Sequence, residues 1–374
     1  MGGTLRDRLV IGVSTRALFD LEAANAVFEK DGLAAYRAYQ LAHEKDPLGP
    51  GTAFPLIRDL LAINGRSPDG PLIEVVILSR NHADSAMRVF NSIEELQLSI
   101  TRGVFRGGRD PWPFLLTFHC ELFLSAEPSA VQAAINAGVP AALVLRPPAV
   151  GHDEEDEVRI AFDGDSVLFD EESDRIWRAE GADAFFKHER DNADVPLSAG
   201  PFQPFLAALA RVQAKFPEDA SPIRTALVTA RNAPAHIRVI NTFRAWNTRI
   251  DEVYFLGDVD KVDALTHLRP HIFLDDRREN LERAADEVPS AHVPARGDQL
   301  QLFEPSAVPA RPRRRARAGE PSAKSKPTRK AAAPARERSA PGVQPAIRDH
   351  REAVRPSDGR PEVAAVPAER ARAQ

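Results

Sequence analysis

The stretch that decides the fold is "IAFDGDSVLFDEE", residues 160–172. A short apolar run ends there in two carboxylates, Asp163 and Asp165, with only Gly164 between them. A buried strand that ends in two like charges needs a compensating partner, because unpaired carboxylates repel each other and take up protons. The stretch therefore predicts a strand whose end belongs to a polar site.

The composition limits the class of protein. The chain has 374 residues, 43% of them hydrophobic, which is long enough for two globular domains. No apolar run is long enough to cross a membrane, and the first residues lack the apolar segment of a signal peptide. A single cysteine, Cys120, leaves no internal disulfide to form. We expect a cytoplasmic protein with no membrane partner.

Positive charge is concentrated at the end of the chain. Residues 304–374 contain 17 Lys and Arg against 8 Asp and Glu, a net charge of +9, whereas the whole chain carries −5. This segment is rich in Pro, Ala and Arg and poor in apolar residues, which predicts a disordered tail. Its charge allows nonspecific contact with nucleic acid, but nothing in it supports specific recognition. A solvated extension is the simpler interpretation.

The chain repeats itself with an offset of about 150 residues. Five segments of the first half match segments of the second in the same order: "ALFD" with "VLFD", "DPLGPG" with "VPLSAG", "EVVILSRN" with "RTALVTARN", "VFRGGRD" with "YFLGDVD", and "ELFLSAE" with "HIFLDDR". This pattern predicts an internal duplication, with one copy at residues 1–151 and the other at 157–303. Two unrelated domains with similar strand and turn patterns are the alternative.

Each half alternates short apolar runs with longer amphipathic stretches. In the second half the strand candidates are "VRIAFD", "TALVTA", "EVYFLG" and "HIFLDD", and the helical candidates between the last three are "APAHIRVINTFRAWN" and "KVDALTHLR". Buried strands that alternate with helices predict an α/β fold with a parallel sheet covered on both faces. Ligands bind such sheets at the carboxyl ends of the strands.

Polar residues lie at those predicted strand ends, namely Asp163, Asp165, Thr229, Lys261, Asp275 and Asp276. A hard cation would relieve the repulsion among the four carboxylates, and Mg²⁺ suits a few oxygen ligands together with a phosphate. We expect Asp163, Asp165 and Asp275 to bind the metal, and Asp276 to support a ligand rather than touch the ion.

This set of residues suits phosphoryl transfer. Asp163 would attack phosphorus and form an aspartyl-phosphate, and Asp165 would protonate the leaving oxygen and then activate water. Thr229 and Lys261 would bind the phosphoryl oxygens. Arg231 is a candidate for contact with the substrate, and an ion pair with a nearby acid explains it equally well.

The same residues resemble the four motifs of the haloacid dehalogenase (HAD) superfamily: "DGDSVL", the Thr229 of "ALVTAR", Lys261, and "IFLDD". More narrowly, residues 8–296 resemble the cytosolic 5′-nucleotidases of type I, through "STRALFD", "GTAFPL", "AFDGDSVLF" and "LVTARNAPAH". The resemblance implies two HAD-like, Rossmannoid domains and Mg²⁺-dependent hydrolysis of nucleoside 5′-monophosphates. One departure is the acid-rich "GDVDKVD", where the family tends to have Gly and Pro around the lysine.

HAD-like enzymes insert a cap between the first and second motifs. The resemblance therefore implies a small helical cap in the second half, at about residues 171–220. Its aromatic residues, Trp177, Phe185 and Phe186, would either stack on a base or pack a small cap core.

The first half lacks the acidic residues. Aligning the two halves at the offset of about 150 residues, an alignment that we call the overlay, gives five pairs: Val13 with Asp163, Thr15 with Asp165, Ser79 with Thr229, Ser125 with Asp275, and Ala126 with Asp276. This half should therefore not hydrolyse a phosphoester. It either keeps an anion-binding site, such as one for a regulatory nucleotide, or acts as a structural partner or dimer contact. The anion site would use Arg16, Arg80, Asn81, Gly107 and Gly108.

Two other functions stay open at this point. One is a HAD phosphatase for another small phosphomonoester, and the other is a nucleotide-binding regulatory protein without turnover. The intact Asp163, Asp165, Lys261 and Asp275 argue against the second. A homo-oligomer also stays open.

Overall fold

The structure is a computed structural model that describes residues 4–145 and 157–296. The predicted tail at 304–374 lies outside the described residues. The described strands are β1 (Leu9–Val13), β2 (Ile73–Ser79), β3 (Arg102–Phe105), β4 (Leu122–Ser125), β5 (Ala141–Val144), β6 (Val158–Phe162), β7 (Ile223–Thr229), β8 (Glu252–Phe255), β9 (Ile272–Asp275) and β10 (Ser290–His292).

Twelve α-helices accompany these strands in the described part of the chain. They are α1 (Thr15–Leu18), α2 (Glu22–Ala42), α3 (Phe54–Ala62), α4 (Ala86–Glu95), α5 (Phe114–Thr117), α6 (Pro128–Asn136), α7 (Glu172–Glu180), α8 (Ala182–Asp191), α9 (Gln203–Gln213), α10 (His236–Trp246), α11 (Lys261–Leu268) and α12 (Arg278–Ala284). Short 3₁₀ helices lie at Leu5–Asp7, Ile63–Arg66, Ala83–Ser85 and Glu218–Ala220.

All ten described strands form one sheet, in the order β3-β2-β1-β4-β5-β10-β9-β6-β7-β8. The strands β1–β5 pair only in parallel, as do β6–β10, whereas β5 and β10 pair antiparallel. The prediction of an α/β fold with parallel strands is confirmed, but the strands of both halves join in one mostly parallel sheet, where two separate parallel sheets were expected. Because of the antiparallel junction, the carboxyl ends of β1–β5 and of β6–β10 lie at opposite edges of the sheet.

The elements predicted from the second half are present. The four apolar runs form β6, β7, β8 and β9, and the two amphipathic segments contain α10 and α11. The strand β10 could not be predicted, because "SAH" is too short and too polar to show as an apolar run.

One apolar core serves both halves of the described chain. The helix α3 packs against β2 in its own half and against β6 in the other, and α9 packs in the same way against β7 and β1. A continuous cluster of buried side chains contains Ile11 and Ile57 together with Phe162 and Phe205. Each half therefore depends on the other to bury its apolar surface.

The two halves share their hydrogen-bond register, and this corrects one detail of the overlay. The Ser14 amide donates to the Leu124 carbonyl at 2.9 Å, and the Asp163 amide donates to the Leu274 carbonyl at 2.8 Å. Ser14, and not Val13, therefore occupies the place of Asp163. The overlay was one residue out because the turn after β6 has one residue more than the turn after β1.

Each half also contains a pair of helices that meet at a glycine with positive φ. Gly32 interrupts α2 with φ 80°, and Gly181 separates α7 from α8 with φ 85°. An edge-to-face aromatic pair crosses each bend, Phe28 with Tyr36 at a centroid distance of 6.1 Å and Trp177 with Phe185 at 5.3 Å. These helix pairs are a second feature that the halves have in common.

The segment predicted as a cap divides into two parts. The helices α7 and α8 form a hairpin that packs on itself. The helix α9 instead lies on the sheet, where Phe205 and Leu206 are fully buried. Of residues 171–220, the hairpin at 172–191 is the part that is free to serve as a cap.

Gly200 holds the turn after β6 in place. Its amide donates to the Leu168 carbonyl at 2.8 Å, and a Cβ at this position would overlap the carbonyl oxygens of Val167 and Phe169. We expect Gly200→Ala to lower the free energy of unfolding by about 1–3 kcal/mol, the usual cost of overpacking. Gly65→Ala is the matched control, because a Cβ there meets nothing within 4 Å. Equal urea-unfolding midpoints for the two variants would contradict this account.

Candidate active site

The carboxyl ends of the central strands of the second half bring the predicted residues together. Asp163 directly follows β6, Thr229 is the last residue of β7, and Lys261 is the first residue of α11. These three and Asp165 line a cavity of about 230 Å³. Asp275, the last residue of β9, is fully buried beneath them.

A buried ion-pair triad forms the centre of the site. The Lys261 Nζ atom lies 2.7 Å from Asp163 Oδ1 and 2.7 Å from Asp275 Oδ2. Burial alone would lower the pKa of Lys261, but the two carboxylates outweigh it and the pKa is raised. The lysine is therefore a fixed positive charge at the floor of the cavity.

Asp260, which precedes Lys261 in the sequence, has contacts of its own. Asp260 Oδ1 accepts a hydrogen bond from the Val262 amide at 3.1 Å and caps α11, and its carboxylate also pairs with Arg283. The lysine ammonium instead reaches the two aspartates at the strand ends. The departure from the family pattern in "GDVDKVD" thus leaves the predicted position of Lys261 intact.

Three carboxylates form the acidic group of the site. Asp163, Asp275 and Asp276 each offer an oxygen, and these oxygens lie within 4.8 Å of one another. Burial raises the pKa of Asp163 to about 7 against the opposing effect of Lys261, and burial with the two neighbouring acids raises the pKa of Asp276 to about 8. Asp276 Oδ1 is buried without a hydrogen-bond partner among the described residues. An oxygen-rich group of this kind fits a hard divalent cation.

Asp275 is held by contacts that the sequence did not reveal. Its Oδ1 accepts a hydrogen bond from the Arg277 amide at 2.7 Å, and its Oδ2 accepts one from Asn280 Nδ2 at 2.9 Å. Arg277 also pairs with Asp174 of α7. The only signal for Asn280 was its place in the first turns of the helix after "LDD", which is too weak to use without a structure.

The Asp165 carboxylate lies outside the acidic group. Arg231 donates to it twice, from Nε to Oδ2 at 2.9 Å and from Nη2 to Oδ1 at 2.6 Å. The chain turns immediately after Asp165, where Ser166 has φ 65°. Because the two acids lie on a turn rather than on an extended strand, their side chains diverge. The structure thus groups Asp276, and not Asp165, with Asp163 and Asp275.

Arg231 is itself buried in an ion-pair chain. Its Nη1 lies 2.5 Å from Glu189 Oε2, and the guanidinium stacks over Phe169 and Phe185 at 5.7 and 5.4 Å from the ring centroids. Burial opposes the charge, but Asp165 and Glu189 keep the pKa of Arg231 raised. Of the two interpretations of Arg231, the structure shows the ion pair.

Glu189 connects the α7–α8 hairpin to this chain. It is buried on α8, and its Oε1 accepts hydrogen bonds from Arg238 Nη1 at 3.0 Å and from Ser173 Oγ at 2.7 Å. One carboxylate therefore serves two guanidinium groups. The role of Glu189 could not be predicted, because nothing in "FFKHERD" marks this glutamate as the buried one.

The hydroxyl of Thr229 lies next to Gly164, in the turn that joins Asp163 to Asp165. Thr229 is buried, and its Oγ1 accepts a hydrogen bond from the Arg231 amide at 3.2 Å. A Cβ at Gly164 would lie 3.2 Å from this oxygen. The glycine between the two aspartates thus gives the threonine hydroxyl room at the cavity floor.

The aromatic residues of the hairpin pack mainly on one another. Phe185 is buried and makes edge-to-face contacts with Trp177 and Phe186, both at centroid distances of 5.3 Å. The Trp177 side chain is 46% exposed. In the part of the chain that the structure describes, none of the three lines the 230 Å³ cavity. The packing interpretation therefore accounts for Phe185, and the structure assigns no base contact.

The fold and the site together define an α/β protein with an acidic, lysine-bearing cavity at the carboxyl ends of its strands. The chain belongs to the 5′-nucleotidase family, whose model matches residues 1–299 and thus both halves. Human cytosolic 5′-nucleotidase 1B is 36% identical over 289 residues, which cover 75% of this chain and 47% of that protein. The chain spans about half the length of this relative. The resemblance to the type I cytosolic 5′-nucleotidases is confirmed.

No solved structure matches the chain. None of the helices within residues 4–145 and 157–296 is both long and apolar enough to cross a membrane.

The Glu189 ion pairs give a stability prediction. In Glu189→Gln, the buried Arg231 and Arg238 lose their shared negative charge, and we expect the free energy of unfolding to fall by about 3–5 kcal/mol. The matched control is Asp191→Asn on the same helix, whose ion pair with Lys187 is exposed and should contribute little to stability. The measurement is denaturant unfolding of both variants. A loss in Glu189→Gln no larger than in the control would refute a structural role for the buried pair.

The raised pKa of Asp276 gives a pH prediction for the metal-free chain. Its pKa is about 8 in the folded chain against an ordinary value of 3.8, so the folded chain binds more protons between these values. Stability should therefore fall as pH rises through this range. In EDTA, Asp276→Asn should reduce the fall in melting temperature between pH 5.5 and 8.5. The exposed Asp263→Asn should not, and equal pH dependence in wild type and Asp276→Asn would contradict the assignment.

Proposed function

We propose that the chain hydrolyses nucleoside 5′-monophosphates to nucleoside and phosphate at the cavity beside β6. The observation that carries this proposal is the Lys261 ammonium, held 2.7 Å from both Asp163 and Asp275 at the floor of that cavity. The substrate class comes from the 5′-nucleotidase family and from the name of the human relative. A cytoplasmic location is likewise a proposal that rests on that name.

The reaction would require Mg²⁺, and the residues present fit this ion. Asp163, Asp275 and Asp276 would hold it, because their oxygens converge and Asp276 Oδ1 is buried without a partner among the described residues. When bound, Mg²⁺ would neutralise charge on the phosphoryl oxygens. Asp165, which the sequence also suggested as a ligand, is committed to Arg231 instead.

In the first step, a carboxylate oxygen of Asp163 attacks phosphorus and the bond from phosphorus to the 5′ oxygen breaks. Asp165 donates a proton to that leaving oxygen, which departs as the nucleoside hydroxyl. Lys261 and Thr229 hold the phosphoryl oxygens during the transfer. The Gly164 amide donates to Asp163 Oδ1 at 2.6 Å, and Lys261 Nζ lies 2.7 Å from the same oxygen, so we assign the attack on phosphorus to Oδ2.

In the second step, Asp165 takes a proton from water, and the water oxygen attacks the aspartyl-phosphate. The bond from phosphorus to Asp163 breaks, phosphate leaves, and both carboxyl groups return to their initial states. Arg231 binds both oxygens of Asp165 in the structure, so it must release one of them whenever Asp165 carries the proton. We assign Arg231 the role of positioning this acid.

We further propose that residues 1–151 and 157–303 are copies of one HAD-like unit and that only the second is catalytic. The matched strand order, register and glycine-hinged helix pairs support this. So does a repeated contact in which Ser92 Oγ accepts from the Leu48 amide and Thr242 Oγ1 accepts from the Leu197 amide, both at 2.9 Å. In this alignment, the first half has Ser14, Ser79, Ser125 and Pro111 in place of Asp163, Thr229, Asp275 and Lys261.

The α7–α8 hairpin would serve as the cap of the catalytic half. Two ion pairs tie it to the site, one between Asp174 and Arg277 and the other between Glu189 and Arg231. Closure of the hairpin would exclude water from the aspartyl-phosphate until the leaving nucleoside has departed.

Phosphate release from a panel of nucleoside 5′-monophosphates, with Mg²⁺ and with EDTA, tests the function. We expect turnover only with Mg²⁺, loss of turnover in Asp163→Asn, and a reduction in kcat of roughly 10²–10⁴-fold in Asp165→Asn. The exposed Asp263→Asn, two residues from Lys261, is the control and should retain full activity.

Each outcome of this assay has a distinct meaning. Wild-type activity in Asp163→Asn would exclude the proposed mechanism. Equal turnover of sugar phosphates and nucleotides would favour a phosphatase for other small phosphomonoesters. Absence of turnover with every monoester would refute the enzyme and leave a nucleotide-binding regulatory protein.

A further inference from the structure

A second cavity lies in the first half, at the carboxyl ends of β1, β2 and β4. Its volume is about 400 Å³, against about 230 Å³ for the acidic cavity of the second half. The two cavities share no lining residue, and the antiparallel pairing of β5 with β10 places them at opposite edges of the sheet. A volume of this size suits a small organic ligand.

One wall of this first-half cavity is apolar and partly open. Phe28 and Leu33, which flank the Gly32 bend of α2, line it and are 47% and 48% exposed. Tyr36 also lines it and meets the Phe28 ring edge to face. Large apolar side chains that stay exposed beside a cavity are typical of a surface that contacts a ligand.

The floor of the cavity is polar but uncharged. Three serines, Ser14, Ser79 and Ser125, line it together with Thr15 and Asn81. Within the described residues, Thr15 Oγ1 and Asn81 Nδ2 are buried atoms without a hydrogen-bond partner. Buried polar groups are nearly always paired, so these two atoms call for a ligand that offers hydrogen-bonding groups to them.

Both arginines that line the cavity have carboxylate partners. Arg16 lies 2.8 Å from Glu22, and Arg80 lies 2.9 Å from Asp110 and 3.6 Å from Glu127. Pro111 stands in the place that Lys261 has in the second half. These pairs disfavour the anion site that the sequence suggested, because a phosphate would have to compete with carboxylates for both guanidinium groups.

We propose that the first-half cavity binds a neutral nucleoside. The base lies against Phe28 and Tyr36, and the polar groups of the ligand reach Thr15 and Asn81. The existence of the site follows from its geometry alone. The class of ligand rests on the proposed function, because a nucleoside is the product that the second half would release.

Calorimetric titration of the full chain with adenosine, inosine, cytidine and uridine tests this. We expect at least one nucleoside to bind, with affinity about tenfold weaker in Phe28→Ala and in Asn81→Ala. The matched control is Trp177→Ala, since Trp177 holds the corresponding place in the other half and is equally exposed, at 46%. It should leave binding unchanged. Inorganic phosphate should not displace the nucleoside.

Three results would overturn the proposal: no binding of any of the four nucleosides, binding that Trp177→Ala weakens and Phe28→Ala does not, or displacement by phosphate. Because Phe28 is half-exposed, its truncation should fold, and Leu33→Ala supplies a second variant of the same wall. The binding assay needs no turnover. Nucleoside binding without phosphate release would refute the catalytic proposal alone, and phosphate release without nucleoside binding would refute this one alone.

Discussion

The contact of one ammonium group with two buried aspartates is the interaction on which the second half depends. Lys261 begins α11, Asp163 follows β6, and Asp275 ends β9, so the triad joins three elements at one point. Charges attract strongly where water is excluded, and each of these charges would be costly to bury alone. Even with the lysine present, the pKa of Asp163 stays near 7. The lysine thus offsets only part of the cost of burying that carboxylate.

The sequence was sufficient to predict the site residues that lie at strand ends, but not the contacts that depend on turns or on other elements. Asp163, Thr229, Lys261 and Asp275 could be predicted to converge because the carboxyl ends of parallel strands meet at one edge. The direction of the Asp165 side chain could not, because it depends on the turn at Ser166 and on an arginine 66 residues away.

Other features were out of reach for the same reason. The burial of Glu189 depends on the packing of α8, and the antiparallel junction depends on a three-residue strand with no apolar signature. The loop insertion after β6 shifted the overlay by one position, because a single extra residue leaves no mark in the similarity of "ALFD" to "VLFD".

The two halves solve the same packing problem with different charges. In the first, Arg88 Nη1 donates to the neutral amide of Gln40 at 2.8 Å, and in the second, Arg238 Nη1 donates to the carboxylate of Glu189 at 3.0 Å. The reason is the second guanidinium. Arg231 also binds Glu189, whereas the first half has Asn81 in the place of Arg231 and no extra charge to balance. The buried residue at this position is thus an acid, Glu189, in the half where an arginine binds Asp165, and a neutral amide, Gln40, in the half without that arginine.

The helices α3 and α9 cross between the halves, each lying on strands of its own half and of the other. Neither half could be removed without uncovering the inner surface of the remaining one. The packing of the shared core would then be sufficient reason to retain a half without catalytic acids, and its buried residues would be kept while its strand-end residues were free to change. That asymmetry would let one edge of a shared sheet keep its chemistry while the opposite edge acquires a different ligand.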